Sequence, residues 1–318
     1  MKEDIKNKKI RNSKPLHYFG SLLVFLILAI NLISYKQAIH LTQSTTNSSQ
    51  NTSSTLSQSL FGKRISKPVN AHIDPDFLEI DTIKGDVDLE IWKFDMQPST
   101  GVVALFHDYQ KTKSSLWKEA LSFYRMGYTV ILVDLRGSGN SGGNNSTFGY
   151  SEAVDVENTL KWCTENYPGN KIYLFGASTG AVAILRAVSE LQSTPDGIII
   201  QTCNSTLQQS VKQGLKNGKL PYFSSAWLVS YWVTLINSFN TEQLNASSLA
   251  SSVEIPTLLI HGMLDEEISF DDSQKIFKSL KGPKEFATFS KSGHESILNN
   301  EEANWVYLVT NFMQSQQH

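Results

Sequence analysis

The stretch Ile172-Tyr173-Leu174-Phe175-Gly176-Ala177-Ser178-Thr179-Gly180 narrows the possible folds more than any other part of the chain. An apolar run suited to a buried strand enters a tight turn, and Ala181 to Leu191 continues as a helix-forming run. A serine on a sharp strand-to-helix turn is held in strained backbone geometry, and its flanking positions must be glycine where a side chain would clash. Gly176 and Gly180 occupy those positions. Such a turn presents the Ser178 hydroxyl at the carboxyl end of a strand, and the next helix aims its first amides at the charge an attacked carbonyl develops. Alone, the pentapeptide also fits an ordinary strand-turn-helix corner.

A serine hydroxyl is a weak nucleophile near neutral pH; it needs a base, and the base needs a third group to fix its tautomer. Two later strand ends offer both. Pro256 to Ile260 is an apolar run ending in His261-Gly262-Met263-Leu264-Asp265, and Phe286-Ala287-Thr288-Phe289 is followed by Ser292-Gly293-His294. Serine, acid and histidine, each just past a strand, stand in the α/β-hydrolase order. Of the seven histidines, His294 alone follows the last strand in a Ser-Gly-His-Glu-Ser turn, whereas His261 ends its own strand and is expected to support the acid turn. Glu266 and Glu267 adjoin Asp265 and compete with it for the role of acid.

Two further stretches join these: Leu105-Phe106-His107-Asp108-Tyr109, and Val133-Asp134-Leu135-Arg136-Gly137-Ser138-Gly139-Asn140-Ser141. With them the chain resembles the α/β-hydrolase superfamily, and within it the monoglyceride-lipase-like and serine-aminopeptidase-like serine hydrolases. The resemblance runs over residues 77–313. It implies an α/β-hydrolase fold: a mostly parallel eight-stranded sheet flanked by helices, with a short helical lid. It also implies Ser178 as nucleophile, His294 as base and Asp265 as acid, the last by its position after His-Gly-x-x. The backbone amides of Tyr109 and Thr179 would form the oxyanion hole. No cofactor and no metal are implied. At one point the chain departs from the pattern: Asp108 stands where a glycine usually follows the histidine. Aspartate tolerates the left-handed conformation a glycine would take, but a carboxylate beside the oxyanion site opposes the developing charge unless it is paired or turned away.

The amino-terminal part belongs to none of this. Lys2, Lys6, Lys8, Lys9, Arg11 and Lys14 outweigh Glu3 and Asp4, and Tyr18 to Ser34 is almost uninterruptedly apolar. That run of about 16–18 residues is short for a span but longer than the apolar core of a cleaved leader, which favours an uncleaved signal-anchor at 18–35. The basic tail, 1–17, would stay cytosolic and the remainder would lie on the extracytoplasmic side. Residues 36–70, rich in Ser, Thr, Asn and Gln, are expected to form a disordered tether. The hydrolase domain would occupy 71–318, its core beginning near Phe77, with nothing before about Leu60 contributing to it. Asn-x-Ser/Thr matches at Asn47, Asn51, Asn144, Asn145, Asn204 and Asn245 arise readily in an Asn/Ser-rich sequence.

From Phe77 onward a hairpin around Lys84-Gly85-Asp86 gives way to alternating strand and helix patterns. Val102–Phe106, Thr129–Val133, Ile172–Phe175, Ile198–Ile200, Thr257–Ile260 and Glu285–Phe289 read as strands buried on both faces. The aromatic-rich insertion at about 207–249 breaks this rhythm between the sixth and seventh strands. It reads equally as a lid and as packed helices.

At 318 residues the economical reading is one catalytic domain, and a net charge of −2 gives no basic field for nucleic acid. Cys163 and Cys203 lack the spacing of a zinc site or disulfide framework. The expected function is a membrane-anchored serine hydrolase acting on carboxylic esters, its substrate a small-molecule or lipid-like acyl ester. The alternatives are a serine-aminopeptidase-type peptidase and a non-catalytic hydrolase-fold binding protein.

Overall fold

A computed structural model of the chain describes residues 14–43, 78–218 and 226–316. The basic residues before Lys14, the tether from Ser44 onward with Asn47 and Asn51, and Phe77 lie outside the described residues.

Eight strands form one sheet: β1 (Glu79–Ile83), β2 (Leu89–Phe94), β3 (Val102–Phe106), β4 (Thr129–Val133), β5 (Ile172–Ala177), β6 (Gly197–Gln201), β7 (Thr257–Gly262) and β8 (Lys284–Phe289). Their spatial order is β1-β2-β4-β3-β5-β6-β7-β8. The β1–β2 and β2–β4 pairs are antiparallel and the remaining pairs parallel. The middle strands β3, β4, β5 and β6 are buried at every position, as expected when helices cover both faces of a parallel sheet.

The chain contains α1 (Lys14–Thr42), α2 (Trp117–Arg125), α3 (Glu152–Asn166), α4 (Thr179–Glu190), α5 (Leu207–Asn217), α6 (Ala226–Asn237), α7 (Ala246–Ala250), α8 (Phe270–Ser279) and α9 (Leu298–Ser315). Alternate side chains of each strand feed two cores. Leu174 and Ile200 face Val156 and Cys163 of α3, the apolar side of α4, and α5 to α8. Phe175 and Ile199 face Phe123 of α2 and Trp305, Val309 and Phe312 of α9. Both cysteines are free and buried.

The amino-terminal helix differs from expectation. It does not stop near Tyr35 but continues to Thr42, so the segment read as the start of a tether is helical. Residues Tyr18 to Leu28 are exposed, while Ala38 and Leu41 are fully buried in the core shared with α5 and α6. Tyr109 Oη donates to Leu41 O at 2.5 Å, Ser146 N donates to Thr42 O at 2.8 Å, and the Tyr35 ring meets Trp232 of α6 at 5.2 Å. The expectation that nothing before Leu60 joins the core is therefore corrected. It failed because Ala38 and Leu41 sit in a polar stretch whose few apolar residues repeat too briefly to signal packing.

Candidate active site

Ser178 follows β5 with φ 50° and ψ −107°, a sparsely populated conformation for a residue with a side chain. Its neighbours explain how the turn is made. A Cβ on Gly176 would stand 2.6 Å from Gly180 C, and one on Gly180 would stand 2.2 Å from Phe106 O. Close approach of α4 to β5 at Gly176 and to β3 at Gly180, not positive φ, is what demands glycine here. Ser178 N donates to Gln201 O at 3.0 Å, locking the turn to β6, and the hydroxyl-bearing residue is 1% exposed.

The structure brings Asp265 and His294 together from the ends of β7 and β8. Asp265 Oδ2 lies 3.0 Å from His294 Nδ1, and its Oδ1 accepts the amides of Glu267 and Ile268, each at 2.8 Å. Burial opposes ionisation of Asp265, but His294 and those amides outweigh it and hold the carboxyl below its ordinary value. Glu267 is placed on the other side of the ring, with Oε2 3.6 Å from His294 Nε2. His261 is occupied elsewhere: its Nδ1 lies 2.9 Å from Ser273 Oγ of α8, and burial lowers its pKa.

The two amides expected to bind an oxyanion converge on one oxygen atom. Tyr109 N donates to Asp108 Oδ1 at 2.6 Å, and Thr179 N points at the same atom from 3.5 Å. Asp108 Oδ2 lies 3.7 Å from His294 Nε2. The carboxylate of Asp108 thus fills the position expected from the sequence for an oxyanion. Burial opposes its ionisation, yet His294, Ser178 and the Tyr109 amide hold its pKa below the ordinary value. Asp108 does not adopt the left-handed backbone considered from sequence; in this turn that conformation belongs to Gln110, at φ 54°. Lys113 does not pair with it, because Lys113 Nζ is committed to Glu90 at 2.7 Å and to Asp134.

His294 is accordingly surrounded by acid. Burial disfavours its charged form, but hydrogen bonds and charge from Asp108 and Asp265 prevail and push its pKa up to about 10. Among the described residues, Ser178 and His294 share no hydrogen bond. Ser178 Oγ instead accepts from Asn204 Nδ2 at 3.2 Å, and Gln213 Nε2 lies 3.0 Å from His294 Nε2. Asn204 also donates to Gln213 Oε1 at 3.2 Å, so a short polar chain from the turn after β6 and from α5 reaches both Ser178 and His294. These two residues were missed from sequence. Asn204 reads there only as part of Asn-Ser-Thr, and its 2% exposure buries it in the site. Gln213 is one amide in the polar run of α5, with no signal to single it out.

Behind the oxyanion turn, His107 Nε2 accepts from Leu135 N at 3.1 Å, so Nδ1 carries the proton and donates to Asp108 O at 2.7 Å. Burial lowers its pKa and keeps it neutral, a link between the β3 and β4 ends. A separate cavity of about 760 Å³, lined in part by Leu207, Trp227, Tyr231 and Phe239, includes none of Ser178, Asp265 or His294.

This sheet, with a serine elbow after β5 and acid and histidine after β7 and β8, defines an α/β-hydrolase of the serine hydrolase class. The family described as the prolyl oligopeptidase family matches residues 114–317, and the chain belongs to it. It is 25% identical over 223 residues to lysophosphatidylserine lipase ABHD12 of Danio rerio, covering 64% of this chain and 56% of that protein. It is 24% identical over 166 residues to the uncharacterized protein YqkD of Bacillus subtilis, covering 51% and 54%. The chain thus matches about half the length of these curated relatives. The Pyrococcus furiosus esterase Pf2001 shares the fold with a TM-score of 0.62 at 23% identity, over 78% of this chain and 96% of that one.

Proposed function

We propose that the chain is a membrane-anchored serine hydrolase that cleaves carboxylic esters through an acyl-Ser178 intermediate, with lipid-like acyl esters as substrates. The observation that carries this reading is the convergence of the Tyr109 and Thr179 amides on one oxygen position beside Ser178, with the Asp265–His294 pair alongside. The names of two similar proteins, a lysophosphatidylserine lipase and an esterase, support an ester substrate. α1 is long and apolar enough over Tyr18–Thr42 to cross a membrane and supports anchorage. The basic residues before it favour a cytosolic amino terminus and an extracytoplasmic catalytic domain.

In the first step Ser178 Oγ bonds to the ester carbonyl carbon and its proton passes to His294 Nε2, while Asp265 holds Nδ1–H. The carbonyl electron pair moves onto oxygen, held by the Tyr109 and Thr179 amides. Collapse breaks the carbon–oxygen bond to the leaving alcohol, which takes the proton from His294. Water then repeats the sequence on the acyl-serine and releases the acid. Asp108 must vacate the oxyanion position before the carbonyl enters, and His294 must be neutral to accept the proton.

A second reading is favoured by one observation. Asp108 Oδ2 and Glu267 Oε2 lie 3.7 and 3.6 Å from His294 Nε2, and a pair of carboxylates at this place suits a substrate with a free amino group, as a peptidase of this family would take. The test is fluorophosphonate labelling of the full chain, followed by rates on nitrophenyl esters of increasing chain length beside an aminoacyl anilide. Labelling lost in Ser178→Ala, with rates rising along the ester series, supports the ester reading; preference for the anilide moves it to a peptidase. No labelling of the wild type at any pH leaves a binding protein.

A further inference from the structure

Helix α6 carries no charged residue in its sequence AWLVSYWVTLIN. One side is buried through Val229, Ser230 and Val233. The other exposes Trp227, Tyr231, Leu235 and Ile236, which are 63%, 50%, 55% and 36% accessible. Trp227, Tyr231 and Leu235 recur every fourth residue and so form a single stripe. Large aromatic side chains left in water on an uncharged helix are costly, and a soluble surface seldom gathers several in a row.

The position of this stripe relative to α1 identifies what covers it. From Tyr18 to Tyr35 the helix α1 has no charged residue. At about 1.5 Å per residue this length rises about 27 Å, close to the roughly 30 Å hydrocarbon thickness of a bilayer. Tyr18 and Tyr35 stand at its two ends, and Lys36, exposed, follows at once. Tyrosine and tryptophan collect at the membrane–water boundary and lysine just outside it, so the boundary on the domain side falls at Tyr35. Trp232 of α6 meets Tyr35 edge-on at 5.2 Å, and Tyr231 meets Trp232 at 5.8 Å. The exposed face of α6 therefore lies at the level where the headgroups would be.

We infer that α6 is an interfacial helix that rests its Trp227–Tyr231–Leu235 face in the headgroup layer of the same phospholipid bilayer that α1 crosses. The inference rests on the anchored reading of α1. Its consequence is positional: α5, which packs against α6, carries Gln213 to His294, and Gly214 of α5 lies against Leu41 and the Tyr109 ring. The helix pair that seats on lipid is thus the one that borders the reactive side chains, and a lipid ester reaches Ser178 from the membrane side.

The test uses the full chain in phosphatidylcholine vesicles. Single cysteines at Leu235→Cys, at Phe25→Cys on α1 and at Tyr307→Cys on α9 are labelled with an environment-sensitive fluorophore, Cys163 and Cys203 being buried. Spin-labelled lipids quenching near the headgroup should quench the label at 235, deep quenchers the label at 25, and neither the label at 307. Quenching at 25 without quenching at 235 overturns the inference while leaving the anchor intact; absence of both removes the anchored reading itself. Protection of 235 by cross-linking between copies, without lipid quenching, also overturns it and assigns the face to a second copy. As a functional arm, Leu235→Ser with Ile236→Ser should cut hydrolysis of a vesicle-borne lipid ester by ~10-fold, from lost apolar burial, and leave a soluble short-chain ester unchanged. Equal losses on both substrates would overturn it.

Discussion

Replacing Asp108 by glycine or asparagine removes a negative charge 3.7 Å from His294 Nε2. At an effective dielectric of about 20, unit charges ~4 Å apart interact by about 4 kcal/mol, equivalent to ~3 in pKa. The two side chains are 17% and 20% exposed, so solvent screens part of this. We expect the His294 pKa to fall from about 10 by ~1–2, the part that survives screening. A base with a pKa of about 10 is neutral in ~1 of 1,000 molecules at pH 7, so the substitution should raise kcat/KM at pH 7 by ~10–100-fold. The gain should shrink as the pH rises and vanish near pH 10, where wild-type His294 is also neutral. The assay is the pH profile of kcat/KM on a short-chain nitrophenyl ester for the wild type, Asp108→Gly and Asp108→Asn. Asparagine keeps the shape and removes the charge, so a gain with glycine alone would point to steric relief of the oxyanion position. Superimposable profiles, or lower activity in both variants at every pH, would refute the reasoning and make Asp108 a working part of the site.

Ser178→Ala and His294→Ala should each lower kcat by ~10⁴-fold or more, and the double variant should be little worse, because the two act as a unit; additive losses would separate them. Lys113→Ala leaves Asp134, 1% exposed, without its cation and should destabilise the fold by ~3–5 kcal/mol in urea unfolding; a change below ~1 kcal/mol would contradict the pairing. Deleting residues 1–43 uncovers the core around Trp232, Val229 and Leu215 and removes the acceptor of Tyr109 Oη, so Tm should drop and short-chain esterase activity with it; an unchanged Tm would show the contact to be incidental. The raised pKa of His294 contributes stability that is complete below about pH 6.5 and lost as the pH climbs toward about 10; Tm should fall over that window, and less so in Asp108→Gly.

The sheet was legible because its middle strands are buried on both faces and read as continuous apolar runs, as Val102–Phe106 and Thr129–Val133 show. Ser178 was legible because its turn admits only glycine on either side, a steric demand that leaves a mark in the sequence. Helix starts were less so: α8 begins at Phe270, where the side chain of Ser269 accepts from Asp272 N, a cap that apolar spacing does not register. Asn204 and Gln213 were not legible, since what places them is the approach of β6 and α5 to Ser178, a contact between distant segments that no local pattern records. The end of α1 escaped for the same reason.

Asp108 was visible as a departure in sequence, but its meaning depended on a distribution of charge that only packing reveals. Lys113, five residues on, is held by Glu90 and by Asp134, a carboxylate that would otherwise be buried without a cation. Arg136 is likewise engaged by Asp155 and Asp86. With those cations committed, the groups that meet Asp108 among the described residues include the amides of Tyr109 and Thr179, the imidazole of His294 and Ser178. Two of these, the amides, are the groups expected to hold the oxygen of an attacked ester carbonyl, and the third is the expected base. On the proposed mechanism the resting protein stabilises its own carboxylate with the donors that catalysis would need, and a substrate would have to displace Asp108 before those donors could favour the oxyanion. A substrate that brings apolar binding energy from a long acyl chain would be better equipped to do so than a short one, which on the proposed reading ties the turn at Asp108 to the helix proposed to rest on lipid.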